Sequence, residues 1–190
     1  MGRALPRLLL IGLLVPSLIG LAGLLRARMD VTRVGEHVER VRAAVSTQER
    51  QASHVALVLA LIHAESRGIA DAVSSVEARG LMQLRAPAAG DMARRLGRPA
   101  PAPDDLFDPD LNVALGVAYL AWCMERFDGD VDLGLLGWRT GCARVARWLV
   151  AAGGRDALDT HPDAEGPWRF VRRVRALEAA WTNRLTTGKS

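Results

Sequence analysis

The sequence predicts an all-α protein: a helical domain preceded by a separate apolar N-terminal helix. Three observations carry this. Apolar residues recur at steps of three and four along most of the 190-residue chain, the period of a helix face. Cap residues, glycines and prolines punctuate those runs where helices should start and stop. No stretch shows the strict apolar/polar alternation of a half-buried strand, and no internal repeat is present.

The first 28 residues stand apart. Arg3 and Arg7 precede an uncharged run from Leu8 to Leu25, and Arg26 and Arg28 follow it. Eighteen uncharged residues lie at the lower edge of what spans a bilayer and exceed the usual apolar region of a cleaved signal, so residues 1–28 are predicted to form a signal anchor. The alternative is a cleaved signal, for which Gly20-Leu21-Ala22 offers a small-x-small site. Arginines at both ends leave orientation undecided by charge.

Over residues 29–52, Val31, Val34, Val38, Val41 and Val45 alternate with Glu36, Glu39, Arg40 and Arg42, which predicts an amphipathic connecting helix. Two heptads are short for a coiled coil, so it is expected to pack on the domain rather than on a second copy. The domain itself is expected over residues 53–185. Ser53 is a candidate cap for a helix carrying Val55, Val58, Leu59, Leu61 and Ile62, with Glu65 at its end and Gly68 closing it. Ala86 to Leu96 reads as a helix stopped by Gly97, and Arg98 to Pro103 as a loop. Asp108 before Pro109 is a cap with proline at the first helical position, opening a helix to about Phe127 that should bury Leu111, Leu115, Ala118 and Trp122. Shorter helices follow near Leu133 to Arg139, Ala143 to Ala151 and Trp168 to Thr182. Without the N-terminal segment roughly 160 residues remain, enough for a real core.

One stretch concentrates the chemistry. Glu65-Ser66 is followed by Ser74, nine residues after the glutamate, and by Gly80-Leu81-Met82-Gln83, its glutamine nine further on. Leu106-Phe107-Asp108-Pro109, Asn112, Gly116, Tyr119-Leu120 and Phe127-Asp128-Gly129-Asp130 come next in order. In this order and spacing the chain, from about Ser53 to Arg147, resembles the soluble lytic transglycosylases, a lysozyme-like family that cuts peptidoglycan. The resemblance implies a lysozyme-like helical fold with a cleft between the helix bearing Glu65 and the segment from Gly137. It also implies cleavage of the MurNAc-GlcNAc bond with 1,6-anhydroMurNAc formation, no cofactor and no metal. Glu65 would be acid and base, and Ser74, Met82, Gln83, Tyr119 and Trp138 would bind the glycan. The chain departs from the family at one point: where the family reads Ala-Tyr-Asn-Ala-Gly-Pro, this sequence reads Gly137-Trp138-Arg139-Thr140-Gly141-Cys142.

The residues support part of this on their own. A general acid for glycosidic cleavage must stay protonated, which apolar surroundings favour. Leu61 and Ile62 share a helix face with Glu65, and the helix C-terminus disfavours a carboxylate there; both push its pKa up. Asp71 and Glu77 match no catalytic position of the family and read as turn residues. Trp138-Arg139 separates two functions. Trp138 can donate one N–H to the carboxyl and stack on a sugar. Arg139 either faces solvent or pairs with Glu65, holds it ionised and leaves a degenerate glycan-binding or scaffolding protein of a cell-envelope machine.

The remaining features are less specific. The net charge is +4, carried almost wholly by arginine with Lys189 the single lysine; this reads as an Arg/Ala bias rather than a binding face, and no nucleic-acid motif is present. His37, His54, His63 and His161 lack metal-ligand spacing. In an exported protein a Cys123–Cys142 bridge is the alternative, but a helical hairpin around Phe127 to Leu133 would set Cys123 opposite Leu136, about 9 Å short of Cys142 at 1.5 Å per residue, which favours two unpaired thiols. The expected partners are glycan strands, the inner membrane through residues 1–28, and proteins of an envelope machine, with the domain facing the periplasm.

Overall fold

The computed structural model describes residues 7–46, 55–158 and 161–188, of which 7–19 by backbone alone. Among these residues the architecture is helical, with two isolated bridges, Val73 with Arg79 and Arg79 with Leu84, as the extended pairing. The helices are α1 (Arg7–Gly35), α2 (Val38–Ser46), α3 (Val55–Glu65), α4 (Ala86–Arg95), α5 (Pro109–Glu125), α6 (Val131–Thr140), α7 (Cys142–Ala152), α8 (Arg155–Leu158) and α9 (Glu165–Thr187). Single 3-10 turns occupy Pro103–Phe107 and Pro162–Ala164.

α3 is the axis of the core. Every residue from Ala56 to Ile62 is buried, so this helix has no polar face until His63. The amphipathic α9 lies along it, and α1, α2 and the α5–α6 pair close the remaining sides. Ser53, its predicted cap, lies outside the described residues.

The predicted connecting helix is two helices. The chain breaks at Gly35, and α2 restarts after Glu36 and His37. Val34, Val41 and Val45 are buried within the domain core, so the valine stripe packs on the domain as its spacing predicts. His37 Nε2 lies 3.3 Å from the Gly68 carbonyl, and an Arg40–Asp110 ion pair ties α2 to the start of α5. Together they clamp the connection around the end of α3.

The apolar run Leu8–Leu25 lies within α1, but the side chains of its first twelve residues fall outside the described set. Among the described residues no helix is long and apolar enough to cross a membrane; Leu21, Leu24 and Leu25 are exposed.

α5 starts as predicted: the Asp108 carboxylate accepts the Leu111 N–H at 2.8 Å. Its buried face is broader than predicted. Leu115 and Ala118 are buried with Asn112, Val113, Val117, Leu120 and Cys123, whereas Leu111 and Trp122 are half-buried. Trp122 is shared between interior and surface because it stacks on Tyr119 and carries the Arg95 guanidinium 5.2 Å above its ring.

The expectation of two unpaired thiols holds, but the axial offset it was argued from does not. Both thiols are free, but they are neighbours, with sulfurs 3.3 Å apart. The chain turns at Gly141 (φ 87°), and α7 leaves in a new direction, so the straight-hairpin offset does not apply.

Candidate active site

Between α3 and α6 opens a cleft of about 540 Å³, within the usual size of a ligand site. Glu65, Ser74, Gln83, Tyr119, Trp138 and Arg139 all line it. Five sequence-predicted residues and the divergent arginine are thus brought together from four segments of the chain. Met82 is not on this surface. It is fully buried and packs on Gly116, where a Cβ would lie 2.3 Å from its sulfur.

Glu65 ends α3 and its carboxyl accepts the Trp138 Nε1–H at 3.0 Å. Burial raises its pKa above the ordinary glutamate value, overcoming the Trp138 hydrogen bond and the charges of Arg139 and Arg173, which all lower it. Among the described residues that line the cleft, Glu65 is the sole acidic one. Asp71 and Glu77 are exposed, and Glu77 pairs with Arg79 at 2.7 Å.

Trp138 does what a hydrogen-bond donor at its position can do. Its ring also stands 5.2 Å from the Tyr119 ring, tilted by 50°, and Tyr119 stacks in turn on Trp122. Burial holds the Tyr119 hydroxyl well above the ordinary phenol range, so it stays neutral. Arg139 turns onto α9, with its guanidinium 5.2 Å over the Phe170 ring.

The far wall is a loop, Ile69 to Leu84, that sequence periodicity could not describe. Asn112 organises it. Fully buried in α5, its Oδ1 accepts the Met82 N–H at 2.8 Å, and its Nδ2 donates to the Arg79 and Leu106 carbonyls at 2.9 and 2.8 Å. Gly80 makes this possible: at φ 77° a Cβ there would sit 2.3 Å from the Asn112 amide and the Leu106 carbonyl oxygen, a contact only glycine escapes. Gln83 adopts φ 49°, and its amide nitrogen donates to the Ala72 and Gly80 carbonyls at 3.0 Å each. That fixes its Oε1 as the atom left for a ligand. Ser74 Oγ accepts the Val76 and Ala78 N–H groups at 3.3 and 3.1 Å, leaving its hydroxyl proton to donate.

Sequence reasoning passed over Asn112 as a structural organiser, although a carboxamide between Leu111 and Val113 on an apolar helix was the signal. It also passed over Arg85 and Val76, which line the same cleft. Among the described residues no group of three or more His, Cys, Asp or Glu could hold a metal.

The family model described as "Transglycosylase SLT domain" matches residues 43–159. An endo-type membrane-bound lytic murein transglycosylase A of Salmonella paratyphi B is 45% identical over 67 residues, 34% of this chain and 33% of that protein. Among solved structures, an inactive Glu-to-Gln mutant of lytic transglycosylase Slt from Pseudomonas aeruginosa aligns with TM-score 0.66 and 27% identity, covering 75% of this chain and 24% of that one. The 70 kDa soluble lytic transglycosylase of Escherichia coli aligns with TM-score 0.68 and 25% identity, covering 79% of this chain and 24% of its own. This chain spans a third or less of the length of each of these relatives.

Proposed function

The chain belongs to the transglycosylase SLT domain family, and from that premise we propose that it is a peptidoglycan lytic transglycosylase with Glu65 as its single acid and base. The observation that carries the reading is the Glu65 carboxyl itself: partly buried, raised in pKa, and without a second acidic residue lining the cleft among those described. The relatives named above are lytic transglycosylases, the Salmonella one a lytic murein transglycosylase, which supports the substrate and the reaction class.

The reaction needs one carboxyl group. Protonated Glu65 gives its proton to the glycosidic oxygen as the bond to the MurNAc anomeric carbon breaks. The resulting carboxylate is stabilised by the Trp138 N–H, already aimed at it. It then takes the proton of the MurNAc 6-hydroxyl as that oxygen attacks the anomeric carbon. The product carries a 1,6-anhydro ring, and Glu65 is reset. We assign Ser74, Gln83, Tyr119 and Trp138 to holding the glycan, the first two through a hydroxyl donor and an amide acceptor, the last two through aromatic faces. Met82 acts beneath them as packing.

The degenerate alternative required Arg139 to pair with Glu65. Its position over Phe170 favours the enzyme instead, because a guanidinium stacked on α9 weakens the acid far less than one in contact with it. A Glu65→Gln substitution keeps the shape but cannot give or recover a proton, so it should cut muropeptide release from purified peptidoglycan by at least about 10²-fold. Release at the wild-type rate by the folded variant would overturn the assignment. An inactive Glu-to-Gln mutant is also known for the Pseudomonas aeruginosa relative. Peptidoglycan lies outside the cytoplasm, so the same reading places the domain on the periplasmic side, with residues 1–28 as its inner-membrane anchor.

A further inference from the structure

We propose that Cys123 and Cys142 close into an intramolecular disulfide that braces the Gly141 turn and thereby holds the Trp138 indole on the Glu65 carboxyl. The bond's role at the carboxyl rests on the active-site reading above; the bond itself does not.

The two sulfurs lie 3.3 Å apart, on α5 and at the first residue of α7, nineteen positions apart in sequence. A disulfide needs about 2 Å, so closure asks for a shift of roughly 1 Å. Space for the pair is built in. Gly137 leaves room for the Cys142 sulfur, which a Cβ at that position would approach to 2.8 Å, and for the Phe127 ring at 3.2 Å. Both cysteines are shielded, Cys123 fully and Cys142 with 6% exposure, which makes pairing with each other easier than pairing with another molecule.

Their position links them to the site. Cys123 follows Tyr119 by one helical turn of α5, and Cys142 follows Trp138 across the Gly141 turn, while the Tyr119 and Trp138 rings meet 5.2 Å apart. A bond between the sulfurs would tie together the two segments that carry these rings, one of which, Trp138, donates to Glu65. Without it, α6 ends at a glycine with no side chain to restrain it.

The oxidant is a small disulfide. The hydrogen bond between the two thiols holds Cys142 below its ordinary range despite burial and pushes Cys123 up, and the N-terminus of α7 favours the Cys142 thiolate further, which makes Cys142 the first nucleophile. Cys142, the sulfur with residual exposure, attacks the oxidant as thiolate and releases one thiolate, forming a mixed disulfide. Cys123 loses its proton, attacks the Cys142 sulfur and expels the second thiolate. Two protein thiols are oxidised, one external S–S bond is reduced, and the two protons end on the two released thiols.

The test uses the full chain, equilibrated in buffers of oxidised and reduced glutathione, then denatured and alkylated. The expected result is a species two hydrogens lighter that takes up no alkyl group and yields one linked peptide pair containing Cys123 and Cys142. In that species the Trp138 indole N–H should exchange with solvent at least tenfold more slowly than in the reduced protein, with Trp168 and Trp181 unchanged as internal controls. Two alkylatable thiols at every ratio, a glutathione adduct or disulfide-linked dimer as end product, or a Trp138 exchange rate equal in both states would each overturn the proposal. A double Cys123→Ala, Cys142→Ala variant should exchange at the reduced-protein rate in every buffer. The wild-type comparison stands without it if that variant does not fold. Peptidoglycan cleavage enters none of these readouts, so a failure of the catalytic assignment would leave them untouched.

Discussion

At Glu65 three groups pull against burial: the Trp138 N–H and the positive charges of Arg139 and Arg173 favour the carboxylate, and burial outweighs them. The sign of a change at Arg139 follows. Arg139→Gln removes a charge that favours ionisation, so the pKa of Glu65 rises and the protonated acid survives to higher pH. The alkaline limb of the kcat profile should therefore move upward, and the shift should shrink in concentrated salt because Arg139 is exposed. A limb that stayed fixed at low salt, or moved down, would show that Arg139 does not act on Glu65. The identities of Glu65, Ser74, Gln83, Tyr119 and Trp138 as cleft residues were legible through the family resemblance that their motifs carry. Which of their atoms face the cleft was not. Gln83 turns its amide nitrogen to two backbone carbonyls of its own loop, and Met82 sinks into the space left by Gly116, a contact with α5 that no local pattern announces.

Among the elements, Asn112 joins α5 to the loop before α4 through two hydrogen bonds, with the Met82 N–H and the Arg79 carbonyl, and to the Pro103–Phe107 turn through a third, with the Leu106 carbonyl. Asn112→Ala would strand the Met82 N–H and the Leu106 carbonyl, while the Arg79 carbonyl keeps the Leu84 N–H at 3.0 Å. Each buried group so stranded costs about 1–3 kcal/mol. An overall loss of about 3 kcal/mol or more, measured by denaturant unfolding, is expected; a loss below about 1 kcal/mol would mean that water takes over and that the loop is held otherwise. Caps made some elements readable: Asp108 before Pro109 located the start of α5 to the residue. The elements misread are those where a glycine redirects the chain. Gly35 splits the valine-striped helix in two, and Gly141 swings α7 so that Cys142 reaches Cys123. Periodicity reports a face within a helix and says nothing of the angle at which the next one leaves.

For the molecule as a whole, the helical class was legible because α3 is apolar throughout and no strand pattern competes with it. The packing order was not, since α9 lies against α3 from the opposite end of the sequence. The proposed anchor can be tested on the whole chain. If Leu8–Leu25 anchors the chain, the full-length protein should sediment with the inner membrane and resist extraction by salt and alkali. A mature form starting near Gly23 in the soluble periplasmic extract would show a cleaved signal instead.

The central claim is a single carboxyl group that acts first as acid and then as base, with the substrate's own hydroxyl as nucleophile. Purified peptidoglycan digested by the wild-type chain, with product ends read by mass spectrometry, tests it most directly. The account predicts muropeptides ending in 1,6-anhydroMurNAc, one water lighter than hydrolysed ends, and their loss in Glu65→Gln. Reducing MurNAc ends would mean that water is the nucleophile, and unaltered strands bound to a folded protein would mean that the cleft holds glycan without cutting it.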